Sequence, residues 1–434
     1  MSMRAGDDYR VTVPPEIVYT DSVTLSGEQA AKRILFVDDE KNVLDGIRRM
    51  LHADRKRWHI EFAVGGEAGL RACETSSFDV VISDMRMPGM DGATFLGRIR
   101  TLYPSTARLI LSGFSEIALT ARAVEVAYCI LSKPCNRLEV AAAITRVCAL
   151  QDLFCTPEIR QVIGTIGALP SPSGTYLALA EAIEDPTSSL ERVAAIVTKD
   201  VAMSAKVLQL VNSGFFGLAH PVNDLLSAVG CLGMDTIKYL ALATHTFSMF
   251  VPDSRVPPSF CEEVQRHAFR TAAIAGTLPL PRKERGITIL SGLLHDIGDL
   301  VLASKMPDSL CAVMALMNER GGKRFEAEEE MLGTSHAEIG AYLLGLWGIN
   351  SVAIEAIAHH HHPVRISHRG LDISAALYLA NLLASEVIEH PNDTRGEQLS
   401  DADRDNLKAL GLFQDYANFH ERATEALATS KLGM

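Results

Sequence analysis

Basic charge is the first thing this chain is short of. It carries 41 Lys and Arg against 53 Asp and Glu, a formal net charge of −12. A polyanion needs a basic footprint, so broad nucleic-acid binding is not expected. There is no helix-turn-helix pattern either, so direct DNA binding is not expected. The eight cysteines (Cys73, Cys129, Cys135, Cys148, Cys155, Cys231, Cys261 and Cys311) include no CxxC pair. That spacing argues against a zinc ribbon or a disulfide framework and reads as reduced packing thiols. Apolar runs stay short of the ~18 residues a membrane span needs, so none is expected. The N-terminus lacks a basic start followed by an apolar core, so no secretory signal is expected and the setting reads as cytoplasmic. What the chain has in quantity is aliphatic residues. Its 434 residues, 47% of them apolar, suffice for two or three packed domains.

Residues 1–31 mix Pro, Gly, Ser, Thr and charge without periodicity and read as a flexible extension. From 32 to 150, short β-branched runs alternate with helical patterns. Strands are predicted at Arg33–Val37, His59–Val64, Asp79–Ser83, Arg108–Leu111 and Tyr128–Leu131. Helices are predicted at Lys41–Leu51, Gly66–Thr75, Asp91–Leu102, Glu116–Val126 and Arg137–Leu150. Such βα repetition predicts an α/β, doubly wound, five-stranded parallel sheet of flavodoxin-like type. Residues 151–169 read as a helical linker, with Pro157 near a helix start. Residues 170–390 lose the strand signal and read as an all-helical domain. Residues 391–434 read as a polar tail ending in one helix.

The strand ends carry the chemistry. Ile34–Val37 runs into Asp38-Asp39, Val80–Ser83 into Asp84, Leu109–Leu111 into Ser112, and Tyr128–Leu131 into Ser132-Lys133-Pro134. In an open parallel sheet these ends lie side by side, where ligands bind. Any one acid could instead cap a helix, as Asp39 and Asp91 both precede helical segments. Together they suit phosphoryl transfer, which needs a nucleophile and charge neutralisation. Asp84 would accept the phosphoryl group. Asp38, Asp39, Asp84 and the Arg86 carbonyl would hold Mg²⁺, which prefers hard oxygen ligands. Lys133 and Ser112 would meet the phosphoryl oxygens.

With these pieces, residues 33–150 resemble a response-regulator receiver domain. The match lies in Asp38-Asp39, SDMRMPGMDG, LILSG and SKP. The resemblance implies phosphorylation of Asp84 by a cognate sensor histidine kinase, dependence on Mg²⁺, and a cis Lys133-Pro134 bond. One position departs from the family: Ile130 stands where an aromatic often lies, three before the lysine. Tyr128 shares its parity but sits about 7 Å further from the site. The usual route of signalling through that face is therefore in question.

The second half holds a histidine set: His267, His295-Asp296 in LLHDIG, His336 in SHAEIG, and His359–His362 before Pro363. Each alone also reads as a structural or solvated histidine. Together they offer nitrogen and oxygen ligands for a divalent transition metal, which can support phosphoester hydrolysis. Residues 153–390 resemble an HDOD domain, an HD-related output module. The match lies in LPSPSG, TKDVAMSAKVLQLVNSGFFG (with Asp200, Asn212 and Ser213), AVGCLGMDTIKYLALA, RHAFRTA, LLHDIGDLVL, HAEIGAYLLGLWGI and the histidine run. By likeness to HD and HD-GYP phosphohydrolases, His267, His295, Asp296, His336 and two of His360–His362, taken as His360 and His361, fall on metal-ligand positions. Asn381 stands where those enzymes have a final aspartate, and no GYP follows the histidine run. The resemblance therefore implies a regulatory module acting through protein contacts. A receiver-gated phosphohydrolase acting on a cyclic dinucleotide and a nucleotide-binding sensor are the alternatives. The expected partners are the kinase and a downstream protein, with a homodimer left open.

Overall fold

The computed structural model describes residues 31–113, 126–154, 156–165, short stretches between 178 and 237, and 250–428 except 251, 348, 368–369 and 391–394. Asp200, Asn212, Ser213 and nearly all of the helix expected at 116–126 lie outside these residues.

The first part is the predicted parallel sheet. Its strands are β1 (Lys32–Asp38), β2 (Trp58–Val64), β3 (Val80–Asp84), β4 (Ala107–Gly113) and β5 (Cys129–Lys133), in the order β2-β1-β3-β4-β5. Period-two alternation decides which side chain faces which layer. Ile34, Phe36, Val80, Ile82, Leu109 and Leu111 face α1 (Lys41–Met50) and α4 (Arg137–Phe154). Leu35, Val37, Val81 and Ile110 face α2 (Gly66–Thr75) and α3 (Gly92–Leu102). Both faces are covered, which is why the strands read as nearly continuous apolar runs.

After α5 (Pro157–Thr165), which opens on Pro157, every described element is helical. These are α6 (Leu190–Thr198), α7 (Leu225–Leu232), α8 (Pro258–Thr277), α9 (Arg282–Leu294), α10 (Ile297–Lys305), α11 (Pro307–Arg320), α12 (Arg324–Leu332), α13 (His336–Leu346), α14 (Ser351–Ala358), α15 (Ile373–Glu389), α16 (Asp401–Ala409) and α17 (Tyr416–Ala428). The C-terminal segment thus holds two helices rather than the one expected, parted at Gly411, whose φ is +71°. Leu407, Phe419 and Ala423 share an apolar core with Leu379 and Leu383 of α15. By length and composition alone, Arg282–Lys305 is long and apolar enough to cross a membrane, with a mean hydropathy of 1.4 over an 18-residue window. Of that window 89% is buried inside the protein, the setting of a core helix pair.

The two parts share a core. Leu150 of α4 belongs to one apolar core with Tyr342, Leu343 and Leu346 of α13. A Cβ on Gly345 would come within 2.6 Å of the Leu150 methyls, so glycine lets these helices approach. A second contact is closer still: a Cβ on Gly164 of α5 would sit 1.7 Å from the Pro104 carbonyl oxygen.

Candidate phosphoacceptor site and histidine cluster

At the C-terminal ends of the strands, Asp38 and Asp84 face one ammonium group. Lys133 Nζ donates to Asp38 Oδ2 at 2.8 Å and to Asp84 Oδ1. The other oxygens take backbone amides: Glu40 N–H to Asp38 Oδ1 at 2.9 Å, and Arg86 N–H to Asp84 Oδ2 at 2.7 Å. Both carboxylates are buried, Asp84 to 8% exposure at the mouth of the site. Burial alone would lower the Lys133 pKa, but its hydrogen bonds to Asp38 and Asp84 outweigh that and raise it. The Lys133-Pro134 bond is cis.

Two glycines shape the loop beyond Asp84. Gly89 supplies φ +78° for the turn. A Cβ on Gly92 would lie 2.1 Å from the Asp84 carbonyl oxygen, so only glycine lets α3 begin so near Asp84. Asp91 caps that helix by accepting Thr94 N–H at 2.8 Å. Ser112 pairs with Ser132 in the β4–β5 register, and its side chain lies outside the described residues. Asp39 follows directly on β1 and is partly exposed. The carboxylate pair fits Mg²⁺ by the chemistry of its donors: hard oxygens, converging, already drawn around a cation, the Lys133 ammonium.

The second site gathers the residues that the sequence placed on metal-ligand positions, with Asn381. His267 comes from α8, His295 and Asp296 from the α9–α10 junction, His336 from the first turn of α13, His360 and His361 from the end of α14, and Asn381 from α15. Asp296 Oδ1 lies 3.1 Å from His295 Nε2, 3.4 Å from His336 Nε2 and 3.5 Å from His360 Nε2. His361 Nε2 is 2.9 Å from His336 Nε2. His267 Nε2–H meets Asn381 Oδ1 at 2.6 Å. The histidine run therefore divides: His360 and His361 enter the cluster, while His362 pairs with Glu329 at 2.9 Å.

The ring orientations test whether a cation fits. His295 Nδ1–H donates to the Gly292 carbonyl at 2.9 Å, and His360 Nδ1–H to the Ile357 carbonyl at 2.7 Å. Their Nε2 atoms are buried without a partner in hydrogen-bond geometry among the described residues. Two nitrogen lone pairs thus face a carboxylate, an arrangement that a borderline divalent ion satisfies. Burial holds the His360 pKa down to about 4, and burial with neighbouring His360 and His336 pushes His361 well below the ordinary histidine range, so both favour the neutral ligand form. Burial opposes ionisation of Asp296, but His295 and the other rings draw its pKa well below the carboxylate range.

Sequence reasoning missed three residues behind this cluster. Glu328 accepts His336 Nδ1–H at 2.6 Å, Asp299 is fully buried, and Arg324 donates to Asp299. Burial pushes Asp299 up to about 6. A faint signal existed: Asp299 follows Asp296 by one helical turn. Glu328 sits in EAEEE, which reads as a solvated face.

Two protein families match parts of this chain. A response regulator receiver domain matches residues 34–145, and an HDOD domain matches residues 169–363. An uncharacterized protein of Treponema pallidum is 29% identical over 203 residues, covering 45% of this chain and 38% of its own length. Response regulator UvrY of Escherichia coli is 33% identical over 130 residues, covering 30% of this chain and 60% of its own. The crystal structure of the signal receiver domain of an HD domain-containing protein from Pseudomonas fluorescens Pf-5 is 31% identical. It covers 28% of this chain and 98% of that one, with a TM-score of 0.27. The protein is thus a parallel-sheet receiver joined to a helical HDOD domain. A receiver domain with relatives among the response regulators is the feature of a two-component response regulator.

Proposed function

We propose that a sensor histidine kinase phosphorylates Asp84, in the cytoplasm, and that the HDOD domain answers by changing its contacts with a downstream protein or a second copy of the chain. The observation that carries this reading is the convergence of Asp38 and Asp84 on Lys133 at the strand ends. An Asp84 oxygen attacks the phosphorus of a phosphohistidine; the P–N bond breaks and an acyl phosphate forms. Lys133 turns its ammonium to the new phosphoryl oxygens, and Ser112 donates a hydrogen bond to them. Mg²⁺, held by Asp38, Asp39, Asp84 and the Arg86 carbonyl, would supply the remaining positive charge. In this reading, residues 1–31 are an extension, 32–150 the receiver, 151–169 a linker, 170–390 the HDOD domain and 391–434 its C-terminal continuation.

Two contacts support a route between the domains. The first is α4 on α13, through Leu150 and Gly345; α13 carries His336 at its other end. The second runs through Arg108, which is wholly buried. Its guanidinium donates to the carbonyls of Val126, Thr106 and Gly164 and lies 4.4 Å from the centre of the Tyr128 ring. Tyr128 thus touches the linker helix through Arg108, a path that does not require an aromatic at position 130.

The test is intact mass after incubation with a small acyl-phosphate donor. One phosphoryl group is expected with Mg²⁺, and none without Mg²⁺ or in Asp84→Asn. Equal uptake by Asp84→Asn would overturn the assignment.

The unpartnered His295 and His360 nitrogens favour a second reading for the cluster, a bound divalent transition metal. Such an ion supplies Lewis acidity toward phosphoesters when bound. Asn381, a neutral donor already taken by His267, weakens the case for turnover, so the reading here is structural or sensing. Elemental analysis of the purified chain, with a cyclic-dinucleotide hydrolysis assay and His295→Ala as control, tests it. Bound metal without turnover supports a sensing site, and hydrolysis that depends on His295 would make the domain an enzyme.

A further inference from the structure

We infer that Glu328 is a positioning residue for the histidine cluster: it fixes the His336 ring with its proton on Nδ1, so that Nε2 faces Asp296. The argument is geometric. Glu328 lies on α12 with no exposure. One of its oxygens, Oε2, accepts both the backbone N–H of His336 at 2.7 Å and its Nδ1–H at 2.6 Å. That backbone amide is one of the donors left over at the start of α13. Ser335, in the N-cap position, makes no side-chain bond to the helix, so Glu328 does this work from the preceding helix. A single oxygen therefore sets where α13 begins and how its first side chain turns. With Nδ1 engaged, Nε2 is the nitrogen left to face Asp296 Oδ1 at 3.4 Å.

Glu328 is itself held. Arg324, one turn earlier on α12, places Nε 3.3 Å from Glu328 Oε1 and donates through Nη2 to Asp299. Asp299 stands three residues after Asp296. The network thus ties α10, α12 and α13 together behind the cluster. Carboxylates that hold the far nitrogen of a metal-ligating histidine commonly change metal affinity 10- to 100-fold. This affinity argument rests on the metal reading of the cluster; the orientation argument does not.

The test has two arms, both on the full chain. In the first, ¹H–¹⁵N spectra of the metal-free protein report the ring protons, with the His336 signal identified by its loss in His336→Gln. A slowly exchanging Nδ1–H is expected in the wild type and in Glu328→Gln, which keeps an acceptor oxygen. A ring protonated on Nε2 alone would overturn the proposal. In the second, Co²⁺ is titrated and followed by its visible absorption. Glu328→Leu is expected to bind at least about 10-fold more weakly than wild type, with Glu328→Gln recovering most of the loss. Wild-type affinity in a folded Glu328→Leu would overturn the proposal. If Glu328→Leu does not fold, the ring protons of the wild type and Glu328→Gln decide. If the wild type binds no Co²⁺ yet carries the Nδ1–H, the metal reading fails and the positioning role stands.

Discussion

Lys133 and Arg108 show two ways of burying positive charge in one small sheet. Lys133 sits between two carboxylates and is their only neutralising partner among the described residues. Lys133→Ala leaves Asp38 and Asp84 facing each other. Its side chain is 29% exposed, so the loss is discounted for screening to about 1–2 kcal/mol. Because a divalent ion takes over the same charge, millimolar Mg²⁺ is expected to restore much of it. Urea unfolding of Lys133→Ala with and without Mg²⁺ measures this, and identical curves would contradict the shared-cation account. Arg108 has carbonyls and a ring in place of acids. Nothing in the RLILSG string announces that, because an arginine at a strand start usually reaches solvent. Asp84 and Lys133 were legible because they end apolar runs. Glu328 was not, because its neighbours in EAEEE make it look like surface, and only the fold turns it inward.

At the scale of elements, glycine decides how near helices come. Gly298 of α10 lies against the His336 carbonyl oxygen, 2.0 Å from where a Cβ would be. Backbone cannot rotate away as a side chain can. Gly298→Ala is therefore expected to cost about 2–3 kcal/mol and to move His336 from Asp296. Gly345→Ala meets only the flexible end of Leu150 and is expected to cost about 1 kcal/mol. Thermal melts of the two variants check the order, and a larger loss at Gly345 would contradict it. The strand pattern was readable for a related reason: a sheet covered on both faces leaves alternating partners but a continuous apolar string. The helix at 401–409 was not readable as a separate element, since it is charged and buries only Leu407 among its apolar side chains.

At the scale of the whole molecule, receiver and helical domain meet through α4 on α13 and α5 on β4. The sequence read residues 151–169 as the linker between the two domains. It had no means of showing that α13 also begins with a ligand candidate of the cluster, because that depends on how distant helices pack. Arg108→Met removes the bond to Gly164 and is expected to free α5, seen as faster proteolysis within 157–165 with the receiver still folded. Unchanged proteolysis would remove Arg108 from the route. Phosphorylation shifts the balance of packing only as far as the two states differ in contacts. The most direct measurement is hydrogen exchange of residues 157–165 and 336–346 before and after phosphorylation, with Asp84→Asn as control. The account predicts changed exchange in both segments of the wild type and none in the control; identical exchange in all samples, with Asp84 shown to be phosphorylated, would contradict it.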